Sequence, residues 1–285
     1  MILAQALQQS AQILNVNGIE NSYIEARMML GYITKLSPVE IYTQPEQTLS
    51  QGQERVLQAL VERRLRREPT AYIINHREFY GIDFYVDSRV LIPRPETELL
   101  VDTALDFVKN NCNSLSTPLL IADIGTGCGA IAISLALNLP QSKVYATDIS
   151  PAALEIAKLN CEYHKVTRQV TLLQGNLLAP IPKSIDLLVA NLPYIRSSEL
   201  ENLSPEITKF EPRIAIDGGE CGLTQISQLL EQAKWKIKPQ GCLLLEIGQN
   251  QEEEVNHLIH RHLKKIRFEF IPDLNGIKRA VKIRF

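Results

Sequence analysis

Two residue types that can handle a small planar group stand together at the end of an apolar run, Ile185-Asp186-Leu187-Leu188-Val189-Ala190-Asn191-Leu192-Pro193-Tyr194-Ile195. The asparagine side chain carries one acceptor and two donors, and the tyrosine offers a flat apolar face. Side by side they suit a group bearing an NH2, such as a carboxamide or a nucleobase edge. A second cluster, Asp123-Ile124-Gly125-Thr126-Gly127-Cys128-Gly129, lies between an apolar run and the helical run 130–139. Its glycines let the backbone turn tightly and let a ligand come close. The spacing G-x-G-x-G differs from the G-x-G-x-x-G of dinucleotide-binding folds. Asp148, at the end of the next apolar run, can accept both hydroxyls of a ribose.

These residues need rigid elements behind them. From Leu119 the pattern alternates strand and helix. Strands are expected at 119–124, 143–147, 170–174, 185–190 and 241–247, with helices between them. That alternation predicts a mostly parallel sheet covered by helices on both faces. The run before Asn191 shows no polar alternation, as in strands buried on both sides. Pro193 cannot donate to a ladder, and Leu192 before it is held extended, so the strand should end there. Asn191 and Tyr194 then sit at the carboxyl edge of the sheet, where open α/β folds bind ligands. Asn176-Leu177 follows the third strand and is placed near the same edge. The chain closes with an expected hairpin, 267–271 and 280–285 around Asp273-Leu274-Asn275-Gly276.

Residues 1–72 read differently, as a small all-α domain. Leu3, Leu7 and Leu14 mark one helix face. Three capping boxes are expected, Ser22/Glu25, Ser37/Glu40 and Ser50/Gln53, with Pro38 at a first helical position. A later helix carries Leu57, Leu60, Val61 and Leu65 on one stripe and Arg63, Arg64, Arg66 and Arg67 on the other side. The arginines fit either a surface for an acidic or RNA-bound partner or a solvated helix face. Residues 73–92 read as a β-hairpin linker, with Phe79, Ile82, Phe84 and Val86 around Gly81. In Ile92-Pro93-Arg94-Pro95-Glu96-Thr97-Glu98 the prolines forbid a helix before Glu96. This stretch is expected on the lip of the site.

Composition excludes several classes. With 285 residues, 45% hydrophobic and 22% charged, the chain is ordinary for a globular protein. A net charge of -2 leaves no global nucleic-acid footprint. No apolar run reaches the ~20 residues of a membrane helix. The N-terminus lacks the basic and apolar regions of a secretion signal. Five scattered cysteines with no C-x-x-C pair indicate neither a disulfide framework nor a zinc site. The expected location is the cytoplasm.

Strand, Asp-x-Gly-x-Gly-x-Gly, helix, strand, Asp resembles the pattern of class I S-adenosylmethionine-dependent methyltransferases, with their Rossmann-like sheet. The whole chain resembles the protein-(glutamine-N5) methyltransferases that act on peptide chain release factors, the HemK/PrmC family. The likeness runs essentially end to end. It rests on the helical N-domain, Arg77-Glu78-Phe79-Tyr80, Ile92–Glu98, the glycine loop and Asn191–Tyr194. Glu211-Pro212-Arg213-Ile214-Ala215, Asp217-Gly218-Gly219 and the terminal hairpin add to it. Departures are Leu192, where the usual form is N-P-P-Y, Asn176, where Asp is frequent, and Lys278, where an acidic residue is common.

The resemblance implies methyl transfer from S-adenosyl-L-methionine to the glutamine amide of a release factor's Gly-Gly-Gln loop. The product would be S-adenosyl-L-homocysteine, with no metal needed. It implies a catalytic domain over 93–285, with Asp123, Gly125, Thr126, Gly127, Cys128, Gly129, Asp148, Asn176, Leu177 and Asn191 toward the cofactor. Asn191, Leu192, Pro193 and Tyr194 would face the substrate, with Asn191 and Tyr194 catalytic. The N-domain would help dock the release factor. Glu211 and Arg213 either shape a peptide groove or form a buried ion pair. Sequence-specific nucleic-acid binding and membrane attachment are not expected. Glutamine methylation of a ribosomal protein, adenine-N6 methylation of nucleic acid and a non-catalytic binding module remain as alternatives.

Overall fold

In a computed structural model that describes residues 1–111 and 117–285, the chain divides into two compact units. Cys112 lies outside the described residues. One unit comprises Met1–His76 with Ser204–Phe210, the other Arg77–Leu203 with Glu211–Phe285.

The first unit is built from α1 (Leu3–Val16), α2 (Ser22–Thr34), α3 (Pro38–Thr43), α4 (Gln51–Leu65) and α5 (Thr70–Ile73), plus a short helix at Pro205–Phe210. Its core joins Leu3, Leu7 and Leu14 to Met29, Leu30, Leu57, Leu60 and Val61, with Leu65 packed at its margin. Two of the three expected capping boxes form. Ser37 accepts from the Glu40 amide while Glu40 accepts from the Ser37 amide, and Ser50 and Gln53 do the same. The third does not. Asn21 stands at the N-cap of α2, Ser22 is inside the helix, and Glu25 is engaged elsewhere.

Arg64 engages it. Arg64 is 6% exposed, its Nε donates to Glu25 at 2.5 Å, and its Nη1 donates to Glu206 at 2.9 Å. Thr70 donates to the same Glu25 carboxylate at 2.6 Å, and Arg67 reaches Glu206 at 3.2 Å. Arg63 pairs with Glu68. Of the four arginines, Arg64 thus lies in the interior, Arg63 and Arg67 are ion-paired at its edge and Arg66 is exposed, so neither sequence expectation holds for the face as a whole. The reason is that an arginine can be buried only with carboxylates to satisfy it. Those come from α2 and from Ser204–Phe210, remote in sequence.

The second unit opens with the hairpin β1 (Arg77–Phe79) and β2 (Ile82–Phe84). Tyr80 and Gly81 both have positive φ, 55° and 68°, as a two-residue type I′ turn requires. A 3₁₀ turn at Pro95–Thr97 leads into α6 (Glu98–Asn111). Helical geometry therefore starts at Pro95 rather than Glu96, because proline's fixed φ suits a first helical position.

Then follow β3 (Leu119–Ile124), α7 (Ala130–Asn138), β4 (Ser142–Asp148), α8 (Pro151–Tyr163), β5 (Val170–Gln174) and β6 (Ile185–Ala190). The helix of the first unit, Pro205–Phe210, is α9. After it come α10 (Thr224–Lys236), β7 (Ile237–Glu246), α11 (Glu252–His262), β8 (Arg267–Pro272) and β9 (Lys278–Arg284).

The seven strands β3–β9 form one sheet in the order β5-β4-β3-β6-β7-β9-β8. The first five in that order pair in parallel, and the last two pairings are antiparallel. Every residue of β6 is buried. Its one charge, Asp186, accepts from the Leu120 amide at 2.8 Å and pairs with Lys238 at 3.1 Å. The second strand of the terminal hairpin begins at Lys278, two residues before the expected Ala280. The strand expected at 241–247 starts at Ile237, across a register shift between Ile185 and Leu187. From β3 the chain builds toward β5, then returns to place β6 on the other side. The carboxyl ends of β3 and β6 therefore flank a switch point, where α/β sheets open a crevice. Among the described residues no helix is long and apolar enough to cross a membrane.

Candidate active site

The glycine loop leaves the end of β3. The amides of Gly125 and Thr126 both donate to the Thr147 carbonyl at 2.9 Å, which ties the loop to the end of β4. Gly125 has φ +73°, and a Cβ there would lie 3.2 Å from Leu192 Cδ2. Gly127 has φ +55°, and a Cβ there would meet nothing within 4 Å. Glycine at 127 thus keeps a space open in front of the backbone. The Gly127 amide donates to Asp148 Oδ2 at 2.9 Å, and the Ser150 amide donates to Oδ1 at 2.9 Å. Each oxygen keeps a second lone pair for a hydroxyl donor. Burial raises the Asp148 carboxyl above its ordinary value.

Asp123 has a different task. It is fully buried behind the loop, with Oδ2 accepting from Thr126 Oγ1 at 2.6 Å and from the Ala132 amide at 3.1 Å. It pins the loop to the first turn of α7. Burial pushes its pKa up to about 7.

A cavity of about 280 Å³ opens in front of these elements. Gly125, Gly127, Asp148, Asn176, Leu177, Asn191, Leu192 and Pro193 all contribute to its wall. Asp123, Thr126, Cys128, Gly129 and Tyr194 do not. Sequence reasoning missed Gln225, on α10, which also lines the cavity. Its Oε1 is buried with no hydrogen-bond partner among the described residues. Open space before Gly127, a carboxylate with spare lone pairs and an orphaned acceptor fit a nucleoside with two ribose hydroxyls and an exocyclic amine.

The Asn191 end is assembled from afar. Asn191 Nδ2 donates to Thr97 Oγ1 at 2.9 Å, and Thr97 Oγ1 donates to Glu246 Oε2 at 2.6 Å. Tyr194 Oη donates to Glu246 Oε1 at 3.3 Å, and the Tyr194 carbonyl accepts from Gln251 Nε2 at 2.9 Å. Glu246 is 3% exposed, and burial pushes its pKa up to about 7. Burial and then that carboxylate push the Tyr194 phenol up as well. Thr97 and Glu246 were not singled out from sequence. Glu246 had a legible signal: it is a carboxylate ending the apolar run Leu243-Leu244-Leu245, on the strand paired with the one that ends just before Asn191.

Leu192 is buried, and its side chain packs over Gly125 as part of the core. Glu211 is buried against Arg94 at 2.5 Å, while Arg213 is exposed and pairs with Asp217 at 3.2 Å. The two are therefore not partners of one another. Asp217 also accepts from Ser197 Oγ and the Gly219 amide, which fixes the turn beside Ile195.

A doubly wound sheet with the glycine loop after its first strand, and an antiparallel hairpin at its end, defines a class I methyltransferase fold. Residues 101–210 match the model described as the methyltransferase small domain, and residues 5–74 match the PrmC N-terminal domain. The chain is 39% identical to a release factor glutamine methyltransferase of Moorella thermoacetica, over 98% of this chain and 97% of that protein. It is 34% identical to one from Koribacter versatilis, over 99% and 98%. A methyltransferase structure from Pyrococcus furiosus shares the fold at a TM-score of 0.51 and 20% identity, covering 72% of this chain and 89% of that one. The chain belongs to the release factor glutamine methyltransferase family.

Proposed function

We propose that this enzyme transfers a methyl group from S-adenosyl-L-methionine to the side-chain amide nitrogen of the glutamine in a release factor's Gly-Gly-Gln loop. The observation that carries the reading is that Asn191 and the Gly125–Gly127–Asp148 cluster line one cavity at the switch point of the sheet. Membership of the family supports the choice of substrate.

Bound there, the cofactor supplies an electrophilic methyl group on a sulfonium that departs as a neutral thioether. Asp148 would accept from the ribose, the loop at Gly125–Gly127 would face the amino-acid portion, and Asn176, Leu177 and Gln225 would face the base. The chain's remaining work is on the acceptor. An amide nitrogen is a poor nucleophile because its lone pair is delocalised into the carbonyl. Two fixed acceptors, Asn191 Oδ1 and the Leu192 carbonyl, would take its two N–H bonds and turn the lone pair toward the methyl carbon. Tyr194 would lie against the amide plane. Orientation of this kind is worth up to ~7–11 kcal/mol. The acceptors' dipoles also favour positive charge developing on the nitrogen. A new N–C bond forms, and the excess proton on nitrogen leaves to water afterwards, so no general base is assigned.

We assign residues 1–72 to docking of the protein substrate, 73–92 to the link and 93–285 to catalysis. The described cysteines, Cys128, Cys161, Cys221 and Cys242, are all unpaired thiols, which accords with a reducing compartment and a cytoplasmic location.

The test is mass spectrometry of purified release factor after incubation with the enzyme and labelled methyl donor. One methyl group on the loop glutamine is expected, and none on a release factor with that glutamine changed to alanine. Label on another residue, or no label, overturns the assignment.

A further inference from the structure

To grip an N–H, Asn191 must face the substrate with its oxygen, and a carboxamide by itself has no preference for which end it presents. The structure contains a device that decides. The Thr97 hydroxyl has a single proton, and it is given to Glu246 Oε2 at 2.6 Å. What Thr97 has left is an acceptor, and Asn191 Nδ2 donates to it at 2.9 Å. With Nδ2 committed, Oδ1 is the end free to meet a donor in the cavity. Tyr194 Oη donates to the other oxygen of the same carboxylate, so all three polar groups point their protons toward Glu246. Thr97 is 5% exposed, so water offers no competing partner.

We propose that Thr97 and Glu246 are positioning residues for the methyl transfer: the Glu246 carboxylate, acting through the Thr97 hydroxyl, locks the Asn191 side chain with its oxygen toward the acceptor amide. This rests on the functional reading above. A proton on Glu246 Oε2 reverses the relay. Glu246 then donates to Thr97, the Thr97 proton is free for Asn191, and the carboxamide is free to turn its NH2 to the substrate.

The groups facing Glu246 are Thr97 and Glu96 from the turn before α6, Tyr194 from the loop after β6, and Arg279 from β9. Burial raises its pKa most, to about 7. The Thr97 and Tyr194 hydrogen bonds pull down, Glu96 pushes up, and Arg279 pulls down. The lock is therefore set on the alkaline side of neutrality and released on the acid side. A glutamine amide does not titrate there and the transfer needs no base, and Asp123, the other carboxyl raised to about 7, holds the loop and not Asn191, so an acid limb in kcat that Glu246→Gln removes reports the relay.

The experiment measures kcat and KM for release factor at saturating methyl donor, across pH, in wild type, Thr97→Val, Thr97→Ser and Glu246→Gln. Thr97→Val should lower kcat roughly 10–100-fold at alkaline pH, the size of one misdirected charge-assisted hydrogen bond. KM should change far less. Thr97→Ser should restore most of the loss, and Glu246→Gln should remove the acid limb. Binding of S-adenosyl-L-homocysteine, read by calorimetry, should stay near wild type in all three. Wild-type kcat in Thr97→Val, or an intact acid limb in Glu246→Gln, overturns the proposal while leaving the functional reading standing. A wild-type enzyme that methylates no release factor sinks the functional reading instead. The lock then stands or falls on the Asn191 side-chain amide protons, which should shift with pH in wild type and stay fixed in Glu246→Gln by NMR.

Discussion

The two halves of the site are built in opposite ways. The glycine-loop half is local: Asp123, Gly125, Gly127 and Asp148 come from two successive strands and the turns after them, and the backbone makes most of the bonds. The Asn191 half is a side-chain chain drawn from three distant places, with Asn191 and Thr97 94 residues apart and Thr97 and Glu246 149 apart. Each half encloses one buried carboxyl pushed up to about 7, Asp123 in the first and Glu246 in the second. The difference is in what those carboxyls hold. Asp123 fastens backbone, so its proton matters to stability. Glu246 aims a side chain, so its proton matters to stability and to the direction of a hydrogen bond.

The largest effect should come from the Asn191 half. On the proposed mechanism Asn191→Ala would remove one of the two acceptors for the amide, and it should cut kcat at least ~10²–10³-fold, as when a preorganised transition-state partner is lost. The affinity for S-adenosyl-L-homocysteine should stay within a few-fold, and retained turnover would remove Asn191 from the mechanism. Next come the two carboxyls. A carboxyl raised from its ordinary value favours the folded state when protonated. That stability is full below the unfolded pKa and is lost as pH rises through the folded one. For Glu246, from an ordinary value of 4.5 to about 7, the change is on the order of 3 kcal/mol. Urea titrations between pH about 4.5 and 7 should show wild type losing this increment, and Asp123→Asn and Glu246→Gln each losing less. Only Glu246→Gln should also change the pH profile of kcat. An equal change in both variants would erase the contrast between the halves.

The same contrast explains what could be read from the chain. The glycine loop, Asp148 and the Asn191 edge were legible because each is a turn that follows its own apolar strand, and strand ends are written locally. Thr97 lay within a stretch expected at the lip, yet nothing near it reveals that its hydroxyl bridges two strands' ends. Periodicity likewise puts Arg64 on an outer face of α4. Its two carboxylate partners lie 39 and 142 residues away, and they decide that it is buried. The Ser22/Glu25 box failed for the same reason, since the glutamate it needed is held by Arg64 and Thr70. Local chemistry proposes such pairs, and tertiary partners override them.

On the loop side, Asp148→Ala should raise the dissociation constant for S-adenosyl-L-homocysteine roughly 10–100-fold, the loss of charge-assisted hydrogen bonds of ~1.5–3 kcal/mol. The amides of Gly127 and Ser150 would lose their shared acceptor as well. Calorimetry on Asp148→Asn, which keeps an acceptor, should show a smaller increase. An unchanged constant in Asp148→Ala would refute its role toward the ribose.

The smallest effect tests whether the halves touch. Leu192 stands in the Asn191 half, and its Cδ2 would lie 3.2 Å from a Cβ at Gly125 in the loop. Gly125→Ala therefore meets two costs, a residue with φ +73° and a crowded methyl against a buried leucine. The first is ~1–2 kcal/mol and is independent of what sits at 192. The second depends on it. In the double mutant Gly125→Ala/Leu192→Ala the leucine is gone, and the methyl fills part of the space it left. The destabilisation should then fall short of the sum of the two single changes by ~0.5–1 kcal/mol, a coupling expected of residues in contact. Strict additivity would mean that the loop can shift away from Leu192 without strain. The leucine in place of the usual proline would then be a neutral change in the turn rather than a packing contact that joins the two halves.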